Sequence, residues 1–203
     1  AMCPSDTSPS PYRGWVQASY GGSIGSQLTQ SDGDRANCEP WNVFAEKGEP
    51  RANTLWGRTN NPAFISGMFS YYGVMLKIRD VTDGTSNTIM VGEMLATCSW
   101  DPVGNENHHR RGWWHGNSNG SAQASTVVPI NDFTTCDGST RTTYPGCTNP
   151  HNFNFSWGFK SKHVGGAQFA LVDGSVRFIS ENIDHQLYQA LGGRADGRVV
   201  TDF

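Results

Sequence analysis

The dipeptide Asp173-Gly174, set between two runs that alternate apolar and polar residues, constrains the fold of this chain more than any other feature. Asp-Gly favours a tight turn between antiparallel strands, because glycine adopts positive φ without steric cost. The sequence therefore predicts an antiparallel β-hairpin over residues 167–179. With a two-residue loop, Val172 opposes Ser175 and four apolar side chains share one buried face: Phe169, Leu171, Val176 and Phe178.

Two further elements are predicted after this hairpin. Asp184 is placed to cap a short helix in which Leu187 and Leu191 share one face, with Gly192 as its end. After it, Asp196-Gly197 predicts a turn into a closing strand at Val199-Val200.

Upstream, the period of two in residues 74–79 predicts a half-buried strand that carries Val74, Leu76 and Ile78 on one side. The β-branched run Thr88–Val91 predicts a second, short strand after a turn cluster.

The composition favours a β-rich fold with long loops. The chain contains 24 Gly and 7 Trp, and only 16% of its residues are charged, which is unlike a helical bundle. We expect an α+β fold that is mostly β, with an antiparallel sheet and a short C-terminal helix. The net charge of -3, without a Lys/Arg stripe, argues against nucleic-acid binding.

A length of 203 residues fits one domain, and we expect residues 1–203 to form a single globular head. Residues 98–156, dense in Gly, Asn, Thr and aromatic residues, are interpreted as an insertion in it. No apolar run reaches the ~20 residues that span a bilayer. The opening Ala1-Met2-Cys3-Pro4 lacks the basic and apolar regions of a signal peptide, so we expect a mature or trimmed fragment.

Five cysteines are present, and none forms a C-x-x-C pair, which argues against zinc-ribbon and thioredoxin-like sites. Cys136 and Cys147 bracket a Gly/Thr/Pro loop and are the predicted disulfide, because closing such a loop contributes ~3 kcal/mol. The odd count leaves at least one thiol free or paired with another chain. The pairing of Cys3, Cys38 and Cys98 stays open.

Two catalytic interpretations are not favoured. His163 and Asp173 flank a predicted strand whose ends lie roughly 20 Å apart at a rise of ~3.3 Å per residue, so a dyad would need a sharp fold-back at Gly165-Gly166. We expect Asp173-Gly174 to make the turn and His163 to hydrogen-bond a neighbouring loop. Residues 21–25 match G-x-S-x-G, but we predict a loop there rather than the strand-to-helix turn of a nucleophile elbow.

Carboxylates beside flexible backbone make calcium the one candidate cofactor. The candidate ligands are Asp32 with Asp34, or Asp80 with Asp83, although neither pair has the EF-hand spacing. Solvated turn aspartates are the favoured alternative. His108, His109 and His115 are expected to be exposed loop histidines rather than a metal site, because adjacent strand residues point in opposite directions.

Aromatic residues in and beside the insertion could serve in one of two ways. A platform for stacking sugar rings would use Trp113, Trp114, Tyr144 and Trp157, with Phe153 and Phe155 beside them. The same side chains can instead form a small core under a long loop, which is the favoured interpretation. The platform is nevertheless the basis of an alternative function, an extracellular module that binds carbohydrate.

Three stretches together carry a resemblance to a known family. They are Cys3-Pro4-Ser5-Asp6, the run from Ile78 to Glu93, and the run from Ser161 to Asp184, in which nine residues separate His163 from Asp173-Gly174. In motif and order the chain is similar to the planctomycete-type prepilin-like (pseudopilin) proteins with a C-terminal H-x9-D-G motif.

This resemblance implies a pilin-like head, without an enzymatic role, that serves as a structural subunit of a type IV pilus-like or type II secretion pseudopilus-like filament. It implies an extracytoplasmic location, partners that are copies of the chain or other pilin-like subunits, and membrane attachment through an N-terminal helix before Ala1. Calcium binding by some pseudopilin heads is implied only in the same way. The motif residues, all expected to be structural, are His163, Asp173, Gly174, Asp83, Gly84, Asn87 and Glu93.

Overall fold

A five-stranded sheet forms the centre of the fold. The computed structural model describes residues 2–6, 18–27, 59–70, 73–95, 123–134, 153–198, 200 and 203. The strands are β1 (Tyr20–Gly25), β2 (Ile89–Glu93), β3 (Gln123–Ser125), β4 (Gly166–Leu171) and β5 (Val176–Ser180), in the spatial order β3-β1-β2-β4-β5. The helices are α1 (Phe153–Ser156) and α2 (His185–Gly192), and short 3-10 turns lie at Pro62–Phe64, Ile78–Asp80 and Thr85–Asn87. The predicted α+β, mostly β class is confirmed.

The sheet is mixed rather than wholly antiparallel. The pairs β1–β2, β2–β4 and β4–β5 are antiparallel, whereas β3 lies parallel to β1. Strand β3 comes from within the segment interpreted as an insertion. Residues 127, 128 and 130, which follow it, are buried. This part of the segment therefore belongs to the sheet and the interior.

The predicted hairpin is present, but its predicted register is wrong by one residue. Ala170 pairs with Val176, and Leu171 accepts a hydrogen bond from Gly174 N (3.0 Å), so the loop has three residues. Gly174 has a φ of 86°, the left-handed conformation that ends a three-residue loop. The extra loop residue moves Val176 and Phe178 to the outer face, where they are 67% and 48% exposed.

The buried side of the hairpin contains Ala167, Phe169, Leu171 and Ile179. Phe169 makes edge-on ring contacts with Phe159 (centroids 5.2 Å apart) and Tyr188 (6.1 Å). These residues join β2, β4, β5 and α2 in one core cluster.

Two local predictions upstream of the hairpin are wrong. The segment predicted as a G-x-S-x-G loop is strand β1, an inner strand, and Ser23 is fully buried in it. The strand predicted over residues 74–79 belongs to no described sheet pairing: Val74 and Leu76 are half-buried, but Ile78 is 71% exposed and starts a 3-10 turn. Asp80 closes that turn by accepting a hydrogen bond from Lys77 N (2.8 Å).

The C-terminal elements follow the sequence more closely. Strand β2 overlaps the predicted Thr88–Val91, and helix α2 is capped by Asp184, whose carboxylate accepts a hydrogen bond from Leu187 N (2.9 Å). Gly197 (φ 78°) makes the predicted turn, but Val200 is buried without being in a strand, and residue 199 lies outside the described part. Among the described helices, none has the length and apolar character needed to cross a bilayer.

Candidate functional site

Three side chains with metal-binding chemistry meet at the edge of the sheet where β2 ends and β4 begins. Glu93 is the last residue of β2, and His163 lies in the turn that precedes β4. Cys3 comes from the N-terminal segment, residues 2–6, which packs against this edge. Cys3 and Glu93 are 7% and 3% exposed, so thiol and carboxylate are both buried.

The donor atoms of these residues form a compact triangle. Cys3 Sγ donates a hydrogen bond to Glu93 Oε1 at 3.3 Å, and His163 Nε2 lies 3.3 Å from the same oxygen. The distance from Cys3 Sγ to His163 Nε2 is 3.8 Å. Ser5 Oγ stands beside them, 2.9 Å from Cys3 Sγ and 3.4 Å from His163 Nε2. We call Cys3, Glu93 and His163 the Cys-Glu-His cluster.

Hydrogen bonds fix the Glu93 carboxylate and the backbone at Cys3 and His163. The second carboxylate oxygen of Glu93 accepts a hydrogen bond from Gln168 N in β4 (2.8 Å). The His163 backbone N–H donates to Ser161 Oγ (3.1 Å). The turn around Cys3 is closed by a hydrogen bond from Asp6 N to Cys3 O (2.9 Å). The Glu93 carboxylate is therefore oriented by β4, and the backbone at Cys3 and at His163 is fixed by local hydrogen bonds.

Residues 2–6 are themselves fixed to the sheet through Ser19. The Ser19 hydroxyl donates to Asp6 Oδ2 (2.7 Å), and Ser19 O accepts a hydrogen bond from Met94 N (2.8 Å) just after β2. The segment is thus tied to the same edge that carries Glu93.

The acidic members of the cluster act on the nearby phenol of Tyr20. The pKa of the Tyr20 phenol is raised, first by burial, then by the charge of Cys3 and its hydrogen bond, and then by the charge of Glu93. A pocket of about 490 Å³ opens beside the cluster, and no Lys or Arg is among its described lining residues. Apolar side chains such as Val91, Ala170 and Val176 line part of it. Among the described residues that line this pocket, His163 is therefore the only basic side chain.

The other motif carboxylates bond to backbone. Asp83 accepts hydrogen bonds from Asp196 N (2.6 Å) and Gly197 N (3.0 Å). Asp173, in the hairpin turn, accepts from Ser175 N (2.8 Å) and Ser175 Oγ (2.7 Å), and these bonds lower its pKa. His163 precedes β4 and Asp173 follows it, so the strand separates them.

Gly84 and Asn87 form a turn. Gly84 has a φ of 102°, and its carbonyl accepts a hydrogen bond from Asn87 N (3.0 Å), which begins the 3-10 turn Thr85–Asn87.

Comparison with known proteins gives one match. The model of a family described as "Protein of unknown function (DUF1559)" matches residues 1–186. The chain belongs to this family. No curated protein and no solved structure matches it. The DUF1559 match spans all three stretches on which the sequence resemblance was based.

The DUF1559 chain buries the two aromatic residues of the predicted platform whose side chains the structure describes, Phe155 and Trp157. Trp157 has no exposed surface, and Phe155, two residues earlier, is 1% exposed, so both are interior residues. Trp157 is thus unable to stack a sugar ring at the surface. The other platform residues, Trp113, Trp114 and Tyr144, lie outside the described residues.

Several other sequence predictions also fall outside the described part. They concern the disulfide of Cys136 and Cys147, the calcium ligands Asp32 and Asp34, and the histidines His108, His109 and His115. Among the described residues, the only group of three potential metal ligands is the Cys-Glu-His cluster, and Asp80 and Asp83 are not in it.

All three members of the cluster lie in stretches singled out in the sequence, but the sequence does not indicate that they meet in space. Cys3 is 90 residues from Glu93 and 160 from His163, so no spacing rule joins them. The one sequence feature that could have indicated the cluster is that each member lies in one of the three stretches that resemble the family, with Cys3 at the start of the first stretch.

Proposed function

We propose that this chain is the globular head of a pilin-like structural subunit that works outside the cytoplasm and assembles with copies of itself or with related subunits. The observation that carries the proposal is the role of the motif carboxylates. Asp83, Asp173 and one oxygen of Glu93 each accept backbone N–H groups. Carboxylates used in this way fix loops and strand ends, which suits a scaffold better than a reaction centre.

The outer face of the hairpin supplies surface for lateral contacts. Val176 and Phe178 lie on the same side of β5, which is an edge strand of the described sheet, and both are largely exposed. Exposed apolar side chains on an edge strand are typical of a surface that meets another protein. We therefore assign the outer face of β5 to subunit contacts.

The proposal is tested by expressing the gene from its natural start in its own host. We expect a basic leader followed by an apolar stretch of about 20 residues that drives assembly. Mass spectrometry of the mature N-terminus and electron microscopy of sheared filaments report processing and assembly. In a strain without its prepilin peptidase, we expect the unprocessed form and no filaments.

A surface variant separates assembly from folding. Phe178→Ser changes an exposed side chain, and we expect it to reduce filament number while the circular dichroism of the isolated head is unchanged. Lys162→Ser, at an exposed position before β4, is the matched control and should leave filaments intact. A mature N-terminus cut as an ordinary secreted protein, with the head free in the medium, would overturn the proposal.

A further inference from the structure

We propose that the Cys-Glu-His cluster binds a zinc ion through Cys3 Sγ, Glu93 Oε1 and His163 Nε2. The proposal concerns a site on the head itself, and it holds whether or not the chain assembles into filaments.

The spacing of the donor atoms fits a tetrahedral zinc centre. With Zn–S of about 2.3 Å, and Zn–N and Zn–O of about 2.1 Å, tetrahedral angles place the donor atoms about 3.4 to 3.6 Å from one another. The observed separations are 3.3, 3.3 and 3.8 Å. An ion could therefore enter with shifts of a few tenths of an ångström at each side chain.

The chemistry of the donor set selects a metal of the zinc class. A thiolate and an imidazole suit Zn²⁺, whereas Mg²⁺ and Ca²⁺ prefer oxygen ligands alone. On binding, the Cys3 thiol loses its proton to solvent and the sulfur bonds to the metal, while His163 binds through a neutral ring nitrogen. One thiolate and one carboxylate then balance the two positive charges of the ion, so the buried site is neutral.

The surroundings favour such an ion for two reasons. The described residues that line the adjacent pocket include no Lys or Arg, so no basic side chain there competes with the cation. In addition, Gln168 N holds the second oxygen of Glu93 and so leaves Oε1 directed at Cys3 and His163. Orientation of a ligating group by a second hydrogen bond is a common property of metal sites.

Three protein ligands leave one position of the tetrahedron, which we assign to water at the pocket. The structural consequence concerns residues 2–6. Cys3 belongs to that segment and Glu93 to the sheet, so a bound ion would join the N-terminal segment to β2 and to the turn before β4. Zinc would act as a clamp at this edge of the sheet.

The test is metal binding by the reduced 203-residue chain, freed of metal with a chelator. We expect one equivalent of Zn²⁺ by isothermal titration calorimetry. With Co²⁺ as the probe, we expect absorption bands of a tetrahedral centre and a sulfur-to-cobalt charge-transfer band. Zn²⁺ should also raise the Tm of the wild-type protein, because a ligand that binds only the folded state stabilises it.

Variants locate the site. His163→Gln changes a half-exposed side chain, so it should fold, and we expect it to weaken Zn²⁺ binding at least tenfold. Cys3→Ser should remove the charge-transfer band, whereas Cys3→His should retain metal without that band. Val164→Ser, at a position that is 97% exposed and is not a ligand, should leave the affinity within about threefold. Circular dichroism establishes that each variant is folded.

Two results would overturn the proposal. One is the absence of Zn²⁺ and Co²⁺ binding to the reduced wild-type chain. The other is binding that is unchanged in both His163→Gln and Cys3→Ser, since that would assign the metal to the remaining cysteines or histidines.

Discussion

Lys160 lies in the interior of the protein, with 1% of its surface exposed. Its ammonium group donates a hydrogen bond to Phe155 O (2.9 Å). Burial lowers the pKa of Lys160 to about 8, against the opposing charge of Asp132. The folded protein favours the charged form of this lysine less than the unfolded chain does, so at neutral pH the buried charge destabilises the folded state. The cost decreases as the pH rises above about 8, because the folded form then loses its proton.

We predict that Lys160→Met raises the free energy of unfolding at pH 7 by about 1 to 2 kcal/mol. The lowered pKa corresponds to about 3 kcal/mol of desolvation cost, and the lost bond to Phe155 O offsets about 1 to 1.5 kcal/mol of it. Urea unfolding measures the difference. Lys162→Met, at an exposed position, is the control and should change stability by less than about 0.5 kcal/mol. Loss of stability in Lys160→Met alone would show that the lysine is needed in the core.

For single residues, the sequence predicts roles that depend on near neighbours in the chain but not roles that depend on distant ones. The roles of Asp184 as a helix cap and of Asp173 in a turn could be predicted, because each bonds to backbone within three residues. The Cys-Glu-His cluster could not, since its members meet only after the sheet has formed. Nothing in the local sequence of Lys160 indicates its burial either.

Strand β1 is an element that its local sequence does not predict. It reads Tyr-Gly-Gly-Ser-Ile-Gly, and glycine is disfavoured in strands because it has no side chain to pack and loses most backbone freedom. In the structure, the small residue at position 22 admits the ring of Phe69 directly onto the strand: a Cβ there would lie 2.6 Å from Phe69 Cδ2. The strand thus depends on a tertiary contact, whereas β4 and β5 depend on a local turn.

We predict that Gly22→Ala destabilises the protein by about 1 to 3 kcal/mol through overpacking against Phe69. A double-mutant cycle with Phe69→Leu tests the cause. The smaller side chain should relieve part of the cost, giving a coupling energy of at least about 0.5 kcal/mol in chemical unfolding. Strict additivity of the two single changes would refute the contact as the cause.

The hairpin shows that an element can be predicted while its details are not. The two strands follow from the Asp-Gly turn, but a loop of two or three residues cannot be chosen from the dipeptide alone. That single choice decides whether Val176 and Phe178 face the core or solvent. The exposed face that we propose for subunit contacts could therefore not be predicted from the sequence pattern.

At the scale of the molecule, the C-terminal loop is fastened to the segment before β2. Thr82 N and Asp83 N donate to Arg194 O (2.9 and 3.3 Å), and Arg194 Nη1 donates to Asp80 O (3.0 Å). Asp83 in turn accepts the backbone N–H groups of residues 196 and 197. Two carboxylates, Asp83 and Asp196, consequently lie against each other in this joint.

Burial, together with the hydrogen bond and charge of Asp83, raises the pKa of Asp196 from 3.8 to about 6. Because the folded protein holds the proton of this carboxyl more tightly than the unfolded chain does, the raised pKa stabilises the folded state. This contribution is fully present below pH 3.8 and is lost as the pH rises through 6.

We predict that, relative to Asp196→Asn, the wild type loses on the order of 1 to 2 kcal/mol of unfolding free energy between pH 4 and pH 7, after allowance for solvent screening. Urea unfolding at each pH measures the difference. Asp173→Asn is the control: the pKa of Asp173 is lowered, so its difference from wild type should change with the opposite sign. Parallel pH profiles for wild type and Asp196→Asn would mean that the pKa of Asp196 is not raised in the folded protein.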